Sequence, residues 1–182
     1  MDSLSYIKLS AIILIFSVLS NGCSSDEDQP ELIQEEELIT TVKLTFKSSD
    51  ETQIIQWNAE GTNSESIQLK ANSIYDVAVE FLDESDPVDI EDITTEVIEE
   101  ANDHQVFYEF SGVNVTYETS DTDTLDDNQN PLYINSLWNS GEPGSGKVRV
   151  YLIHEPTSKS SNDRNGFGGE TDIQVDIPLN IN

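Results

Sequence analysis

Apolar and polar residues alternate along most of this chain, which is the period-2 pattern of strands that bury one face. The alternating segments are 41–46, 55–57, 67–69, 75–81, 106–110, 113–117, 147–154 and 172–177. One-sided alternation is typical of antiparallel sheets that cover a core with one face and meet water with the other. The sequence therefore predicts a mainly β fold, a single antiparallel immunoglobulin-like β-sandwich of about seven or eight strands over residues 38–182.

One segment, residues 89–101, departs from this alternation. Its apolar residues are spaced three, four and one positions apart, at Ile90, Ile93, Val97 and Ile98. This spacing places them on one side of a helix, and Glu91 and Asp92 suit the positive end of a helix dipole. We therefore expect one short helix near 89–101 that closes one end of the sandwich.

The first 22 residues have the features of a secretory signal. Lys8 precedes an apolar stretch, residues 9–19, which is too short to cross a bilayer because a spanning helix takes about 20 residues. Cys23 follows the small residues that end this segment and is the only cysteine of the chain. The arrangement resembles a bacterial lipobox, which implies that residues 1–22 are a lipoprotein signal peptide and that Cys23 carries lipid. The alternative is an ordinary signal peptide with an incidental cysteine.

The segment after the cysteine is strongly acidic. Residues 24–37 contain seven Asp and Glu, Pro30 and no base. Like charges repel and extend a chain, so residues 23–37 are predicted to be a lipidated cysteine followed by a disordered tether.

The acidic run resembles the export signal of Bacteroidetes surface lipoproteins. More broadly, the chain resembles small acidic Bacteroidetes-type lipoproteins of uncharacterised role, through its leader and through the segments EELITTVKLTF (36–46) and GGETDI (168–173). The resemblance implies a lipid-anchored protein of the outer membrane that faces the cell surface, with a periplasm-facing anchor as the alternative. Some such chains are assigned to the type 1 periplasmic-binding fold, but this sequence lacks the repeated βα units which that fold requires.

Charge narrows the range of partners. The 182 residues include 36 Asp and Glu against 8 Lys and Arg, which gives a net charge of -28. A polyanion has no basic surface for phosphates, so no nucleic-acid partner is expected.

A single cysteine excludes an internal disulfide and a cysteine-based zinc cluster.

Residues 141–147 match the Gly-x4-Gly-Lys core of a P-loop. Val148 stands where a Ser or Thr should bind magnesium, and an alternating strand follows in place of a helix. We therefore predict a turn before a strand, and no nucleotide partner.

An acidic loop is the candidate metal site. Calcium takes six to eight oxygen ligands, and the residues that could supply them are Asp121, Asp123, Asp126 and Asp127. Calcium is accordingly the one cofactor that the sequence suggests. The alternative is a solvated acidic loop without a metal.

Thr124 lies in the same loop, within Asp123-Thr124-Leu125. This triplet resembles the short Asp-Thr-aliphatic acceptor for O-glycosylation of exported Bacteroidetes proteins. The resemblance implies that the Thr124 hydroxyl carries a sugar and that the loop is exposed.

Three aromatic residues fall in predicted loops and are the candidate ligand-binding residues: Tyr133, Trp138 and Phe167. Exposed aromatic rings stack on sugars, whereas the alternative is that the rings fold back over the end of the sandwich. The loop of residues 155–169 also carries Lys159 and Arg164, which we expect to meet an anionic partner.

Catalytic patterns are scarce. His104 and His154 fall at predicted strand ends without a cysteine partner, and no serine has the context of a nucleophile elbow. The sequence thus predicts a protein that is not an enzyme, a lipid-anchored envelope protein with a binding, adhesion or structural role toward an unknown protein or glycan. The alternative is a calcium-dependent or glycan-binding surface module that uses loop 121–128 or the loop aromatics.

Overall fold

A computed structural model describes residues 38–182, except 62 and 64. The leader, Cys23 and the tether predicted for residues 1–37 lie outside the described residues. Of the residues described, 51% are in strands and 8% in helices. The fold is therefore mainly β, which confirms the prediction from the alternating pattern.

The described part of the chain contains ten strands and two helices. In chain order they are β1 Thr41–Lys47, β2 Thr52–Asn58, β3 Ile67–Leu69, β4 Ile74–Asp83, β5 Glu91–Asp92, α1 Ile93–Glu99, β6 His104–Ser111, β7 Val115–Thr119, β8 Asn135–Ser140, β9 Gly144–His154, α2 Arg164–Phe167 and β10 Glu170–Ile181.

The strands form two sheets. Six strands make the first sheet in the order β2-β1-β4-β8-β7, with β5 also paired to β4, and four strands make the second in the order β3-β10-β9-β6. Every pair is antiparallel except β3–β10, which is parallel. A parallel pair requires a long connection, and here most of the domain lies between the two strands.

Side chains from both sheets meet in one apolar core. Trp138 of β8 lies at its centre, fully buried, with its ring 5.0 Å from Tyr108 and 4.8 Å from Phe110 of the other sheet. Phe46 of β1 packs edge-on against the same indole at 5.3 Å. These edge-to-face contacts are the favoured geometry for aromatic pairs, so a group of rings joins the two sheets.

Strand β8 is absent from the predicted strands although its side chains alternate between inside and outside. Two of its inward positions are serines, Ser136 and Ser140, which hide the apolar alternation. Both hydroxyls have partners in the core, because Ser136 Oγ accepts a hydrogen bond from Trp138 Nε1 (3.0 Å) and Ser140 Oγ donates to Lys70 O (2.6 Å). Buried hydroxyls are tolerated where such bonds are made.

The predicted helix exists but is shorter than residues 89–101. Asp92 caps it by accepting a hydrogen bond from Thr94 N (3.1 Å), and the residues just before Ile93 pair with β4 as strand β5. Of the four apolar residues on the expected face, Ile93 and Val97 are buried, whereas Ile90 and Ile98 are exposed. The strand pairing and the cap together explain why the helix begins later than predicted, at Ile93.

The outer face of the four-stranded sheet carries a second apolar cluster. Loop 155–169 and helix α2 fold over this face and place Phe167 5.0 Å from Phe107, measured between ring centroids. The other members of the cluster are Tyr151 and Ile153 of β9. One end of this face is thereby closed to solvent.

Candidate functional site

The outer face of the six-stranded sheet carries a groove of about 300 Å³ whose lining includes several polar side chains. We call it the polar groove, and its main lining residues are Thr45, Lys47, Asp76, Ala78, Thr122 and Asn135. It combines an ammonium, a carboxylate, hydroxyls and an amide around a single depression.

Strand register creates the depression. Thr45 lies opposite Ala78 and Lys47 opposite Asp76 across β1–β4, while Ala78 also faces Asn135 at the last pair of β4–β8. The floor is low because Ala78 contributes only a methyl group. Inward side chains on the same strands are buried in the core, so the floor of the groove is held rigidly.

The loop that follows β7 forms one wall. Asn135 Nδ2 donates to Thr122 O (3.2 Å), and Ser120 N donates to Asn135 O (3.3 Å). These bonds tie the loop to the first residue of β8, so the wall and the floor share Asn135.

Asp123, a predicted calcium ligand, organises this wall. Its carboxylate accepts hydrogen bonds from Tyr133 N (2.8 Å), Asn135 N (3.0 Å) and Thr119 Oγ1 (3.2 Å). Burial raises the pKa of Asp123, although the hydrogen bonds from Asn135 and Tyr133 act in the opposite direction. Asp123 therefore serves the loop as an internal acceptor.

Asp126, the buried carboxylate of the loop, has a different set of partners. It accepts hydrogen bonds from Asn128 N (2.8 Å) and from both the backbone N (2.8 Å) and the Nδ2 (2.9 Å) of Asn130. Burial by itself raises the pKa of Asp126, but the bonds from Asn130 and Asn128 and the charge of Lys159 lower it below its ordinary value.

The remaining predicted calcium ligands lie at the surface. Asp121 is exposed, and Asp127 accepts a hydrogen bond from Asn102 Nδ2 (2.9 Å). Among residues 38–182, apart from 62 and 64, no three His, Cys, Asp or Glu side chains are arranged to hold a metal ion. The structure thus uses two of these four carboxylates as loop acceptors and does not bring the four together.

Lys159 supplies the positive charge next to Asp126. Its Nζ lies 3.7 Å from Asp126 Oδ2 and donates to the backbone oxygens of Ala101 and His104. Both side chains are buried, and burial lowers the pKa of Lys159 even though Asp126 and Asp103 oppose that shift. We call this group of contacts the Lys159 clamp, since it joins loop 155–169 to loop 121–131 and to the start of β6.

Arg164, the other base of loop 155–169, also points into the chain. It donates to Gly168 O (2.6 Å), Glu170 O (2.8 Å) and Thr171 Oγ1 (2.9 Å). The loop therefore does not present Lys159 and Arg164 outward as the sequence led us to expect.

Two of the three candidate aromatic residues are not accessible. Trp138 belongs to strand β8 with no exposed surface, and Phe167 is 3% exposed beneath loop 155–169. The prediction of a loop is wrong for Trp138, which lies on a strand. Phe167 lies in the predicted loop, but its ring folds back onto an apolar cluster, as the alternative held. Tyr133 is half-buried, with its ring edge-on to Tyr117 at 5.0 Å.

Thr124 is half-buried in the loop, and its backbone oxygen accepts a hydrogen bond from Leu132 N (2.9 Å). The neighbouring Leu125 is 45% exposed. Glycosylation of Thr124 stays a prediction.

His104 and His154 form a pair that the sequence did not reveal. They lie opposite each other across β6–β9, and their rings stack 4.9 Å apart at an angle of 6°. Asp172 of β10 has an oxygen 3.9 Å from a ring nitrogen of each histidine. An imidazole binds metal in its own plane, so two nearly parallel rings are unsuited to sharing one ion.

Burial lowers the pKa of His104, and the adjacent His154 adds to this, whereas a hydrogen bond with Glu100 O opposes it. The signal in the sequence was the position of both histidines at strand ends. Their contact depends on the pairing of β6 with β9, which no local pattern specifies.

The segment that matches a P-loop is a turn followed by the start of β9, as predicted. Lys147 Nζ donates to Asp176 Oδ2 (2.5 Å) on the neighbouring strand. A side chain at Gly146 would overlap the Ser111 carbonyl, which explains the glycine by close approach of two strands.

Comparison with protein-family models, with curated proteins and with solved structures finds no match. No helix in the described residues has the length and apolar character needed to cross a membrane.

Proposed function

We propose that this chain is an exported lipoprotein whose β domain acts as a non-catalytic binding module on the outer membrane, facing the cell surface. The order of segments along the chain supports the anchor: an apolar leader, Cys23, an acidic run and then strand β1. Lipid on Cys23 would hold the domain at the membrane, since each buried methylene adds about 0.8 kcal/mol.

We further infer that the domain is a single immunoglobulin-like β-sandwich. This is supported by two sheets whose inward faces share one core and by the predominance of antiparallel pairs. Such a fold carries function in its loops and outer faces.

The polar groove is the observation that carries the binding role. It combines several convergent hydrogen-bonding side chains with a floor held by the core, and a preformed depression with convergent polar groups is the ordinary starting point for a binding-site hypothesis.

The anchor is tested by expressing the wild type and a Cys23→Ala variant in a bacterium that processes lipoproteins. We expect the wild type to incorporate labelled palmitate, to begin at Cys23 by mass spectrometry and to fractionate with membranes. The variant should lose the label. A mature wild-type protein that still begins at Met1 contradicts the proposal.

Orientation is tested separately by protease treatment of intact cells. We expect the wild type to be degraded while a periplasmic marker protein survives. Degradation only after the outer membrane is permeabilised would contradict the surface location and would indicate the periplasm-facing anchor.

A further inference from the structure

Lys47 differs in its contacts from the other bases of the described residues. Five of the seven have a carboxylate within 4.0 Å, namely Lys43, Lys70, Lys147, Arg149 and Lys159. Arg164 instead donates to backbone carbonyls. Only Lys47 among these bases has neither kind of contact, although it belongs to a protein with a net charge of -28.

Asp76 and Thr45, which line the same groove, also lack partners for their side chains within the described part of the chain. Asp76 lies directly across from Lys47, yet the two make no ion pair within 4.0 Å, and the Thr45 hydroxyl has no hydrogen-bond partner in the described residues. The groove thus presents a donor, an acceptor and a hydroxyl that the fold itself does not use.

These groups define the chemistry of a ligand. An ammonium only donates hydrogen bonds and a carboxylate only accepts them, whereas a hydroxyl does both. A molecule with several adjacent hydroxyl groups can therefore bond to Lys47, Asp76 and Thr45 at once. The methyl of Ala78 offers the small apolar patch on which the C–H face of a sugar ring can rest.

The charges at this groove favour neutral ligands over ionic ones. Lys47 and Asp76 cancel locally, and the negative field of the whole protein repels anions. A zwitterion could place its charges on the same two residues, but exposed ion pairs contribute little in water. The volume of about 300 Å³ is at the lower limit for small-molecule sites, so the ligand is small.

We propose that the polar groove binds a neutral saccharide, which Lys47, Asp76 and Thr45 hold by its hydroxyl groups over Ala78. This inference rests on the proposed function of the domain as a binding module. Because no aromatic ring lines the groove, we expect a dissociation constant of about 1 mM for a single sugar.

The test is an NMR titration of the isotope-labelled mature protein in detergent. The probes are glucose, galactose, mannose and N-acetylglucosamine, with glucuronate and glycine as the anionic and zwitterionic comparisons. We expect at least one neutral sugar to shift the amide resonances around Thr45, Asp76 and Thr122, and neither comparison compound to do so.

Variants localise the site. Lys47→Met and Asp76→Ala should each weaken binding roughly tenfold, as expected for loss of a hydrogen bond to a charged group. Ala78→Leu should abolish binding by raising the floor. The matched control is Lys43→Met, because Lys43 lies on the same face of β1 but is paired with Glu80, and it should bind as the wild type does.

The proposal is overturned if none of the four sugars shifts these resonances, if glucuronate or glycine binds there instead, or if Ala78→Leu binds sugar normally. Any of these results leaves the anchor and the surface location intact, because palmitate labelling and protease treatment measure those independently.

Discussion

The two sheets differ in what their outer faces carry. The four-stranded sheet presents Phe107, Tyr151 and Ile153 outward, and loop 155–169 covers them with Phe167. The six-stranded sheet presents small and polar side chains at the polar groove, such as Thr45 and Ala78, and no segment of the described chain lies over them.

The difference shows that the outward side chains of a sheet determine whether that face is covered by another segment. Large apolar side chains on the outside of a sheet are stable only when another segment covers them, since their burial is the main favourable term in folding. Small polar side chains require no cover, so that face stays open to ligands. Beyond the apolar cluster, the outer face of the four-stranded sheet is occupied by an ion-pair network in which Arg149 and Lys147 both bind Asp176.

The largest expected effect comes from removing the covering ring. Phe167→Ala should lower the free energy of unfolding by about 4 kcal/mol, because a buried phenyl group is lost and a cavity remains. Urea denaturation measures this. On the open face, Thr45→Ala should change stability by less than about 0.5 kcal/mol. Equal losses from both variants would contradict the contrast between the faces.

The next effect concerns the Lys159 clamp. Lys159→Met should cost about 3 kcal/mol, since it leaves the buried carboxylate of Asp126 without its counter-charge. Thermal and urea unfolding of the variant are the measurements. The control is Lys70→Met, which removes an exposed pair with Glu51 and should have little effect. A stable Lys159→Met protein would show that the clamp does not hold the covering loop.

A smaller effect is expected at the wall of the polar groove. Asp123→Ala should cost about 1–2 kcal/mol, because the backbone N–H groups of Tyr133 and Asn135 lose their acceptor. Asp121→Ala, in the same loop but exposed, should be neutral. Amide hydrogen exchange at residues 133 and 135 should become faster only in the first variant.

The smallest expected effect is a dependence of the free energy of unfolding on pH, which comes from His104 on the covered side. Burial lowers the pKa of His104, so below its ordinary value of about 6.5 the unfolded chain binds more protons than the folded one. Stability should therefore fall as the pH drops through this range. The titratable groups that surround the ring are His154, Glu100, Asp103, Asp172 and Lys159.

His104→Phe keeps a ring in the stack but removes the titrating group. Urea midpoints at about pH 7.5 and pH 5.5 should then differ less for the variant than for the wild type. The same difference in both proteins would assign the effect to other groups.

The sequence predicts strands well where inward residues are apolar. In β1 and β4 the alternation is unbroken and predicts both strands, whereas Ser136 and Ser140 conceal β8. A serine in the core depends on a partner that only the tertiary structure provides. Because the alternation of β8 is hidden, the sequence places Trp138 in a loop.

The polar groove could not be predicted, because its residues come from separate parts of the chain. Thr45, Asp76 and Asn135 are brought together by strand pairing, and nothing in the local sequence of any one of them indicates the others. The sequence predicts a calcium site in the acidic loop, but Asp123 and Asp126 accept hydrogen bonds from backbone amides, a role that a sequence pattern does not distinguish from metal ligation.

The position of β10 has a consequence for biosynthesis. This strand comes last of the ten but lies inside its sheet, between β3 and β9, and its Asn180 bonds to Ser66, 114 positions earlier. Contacts of such long range form slowly, and β9 and β3 cannot be joined until the ribosome has released nearly all of the domain. If the chain is exported as proposed, a secretion channel that threads unfolded polypeptide would receive it before it could acquire its final structure.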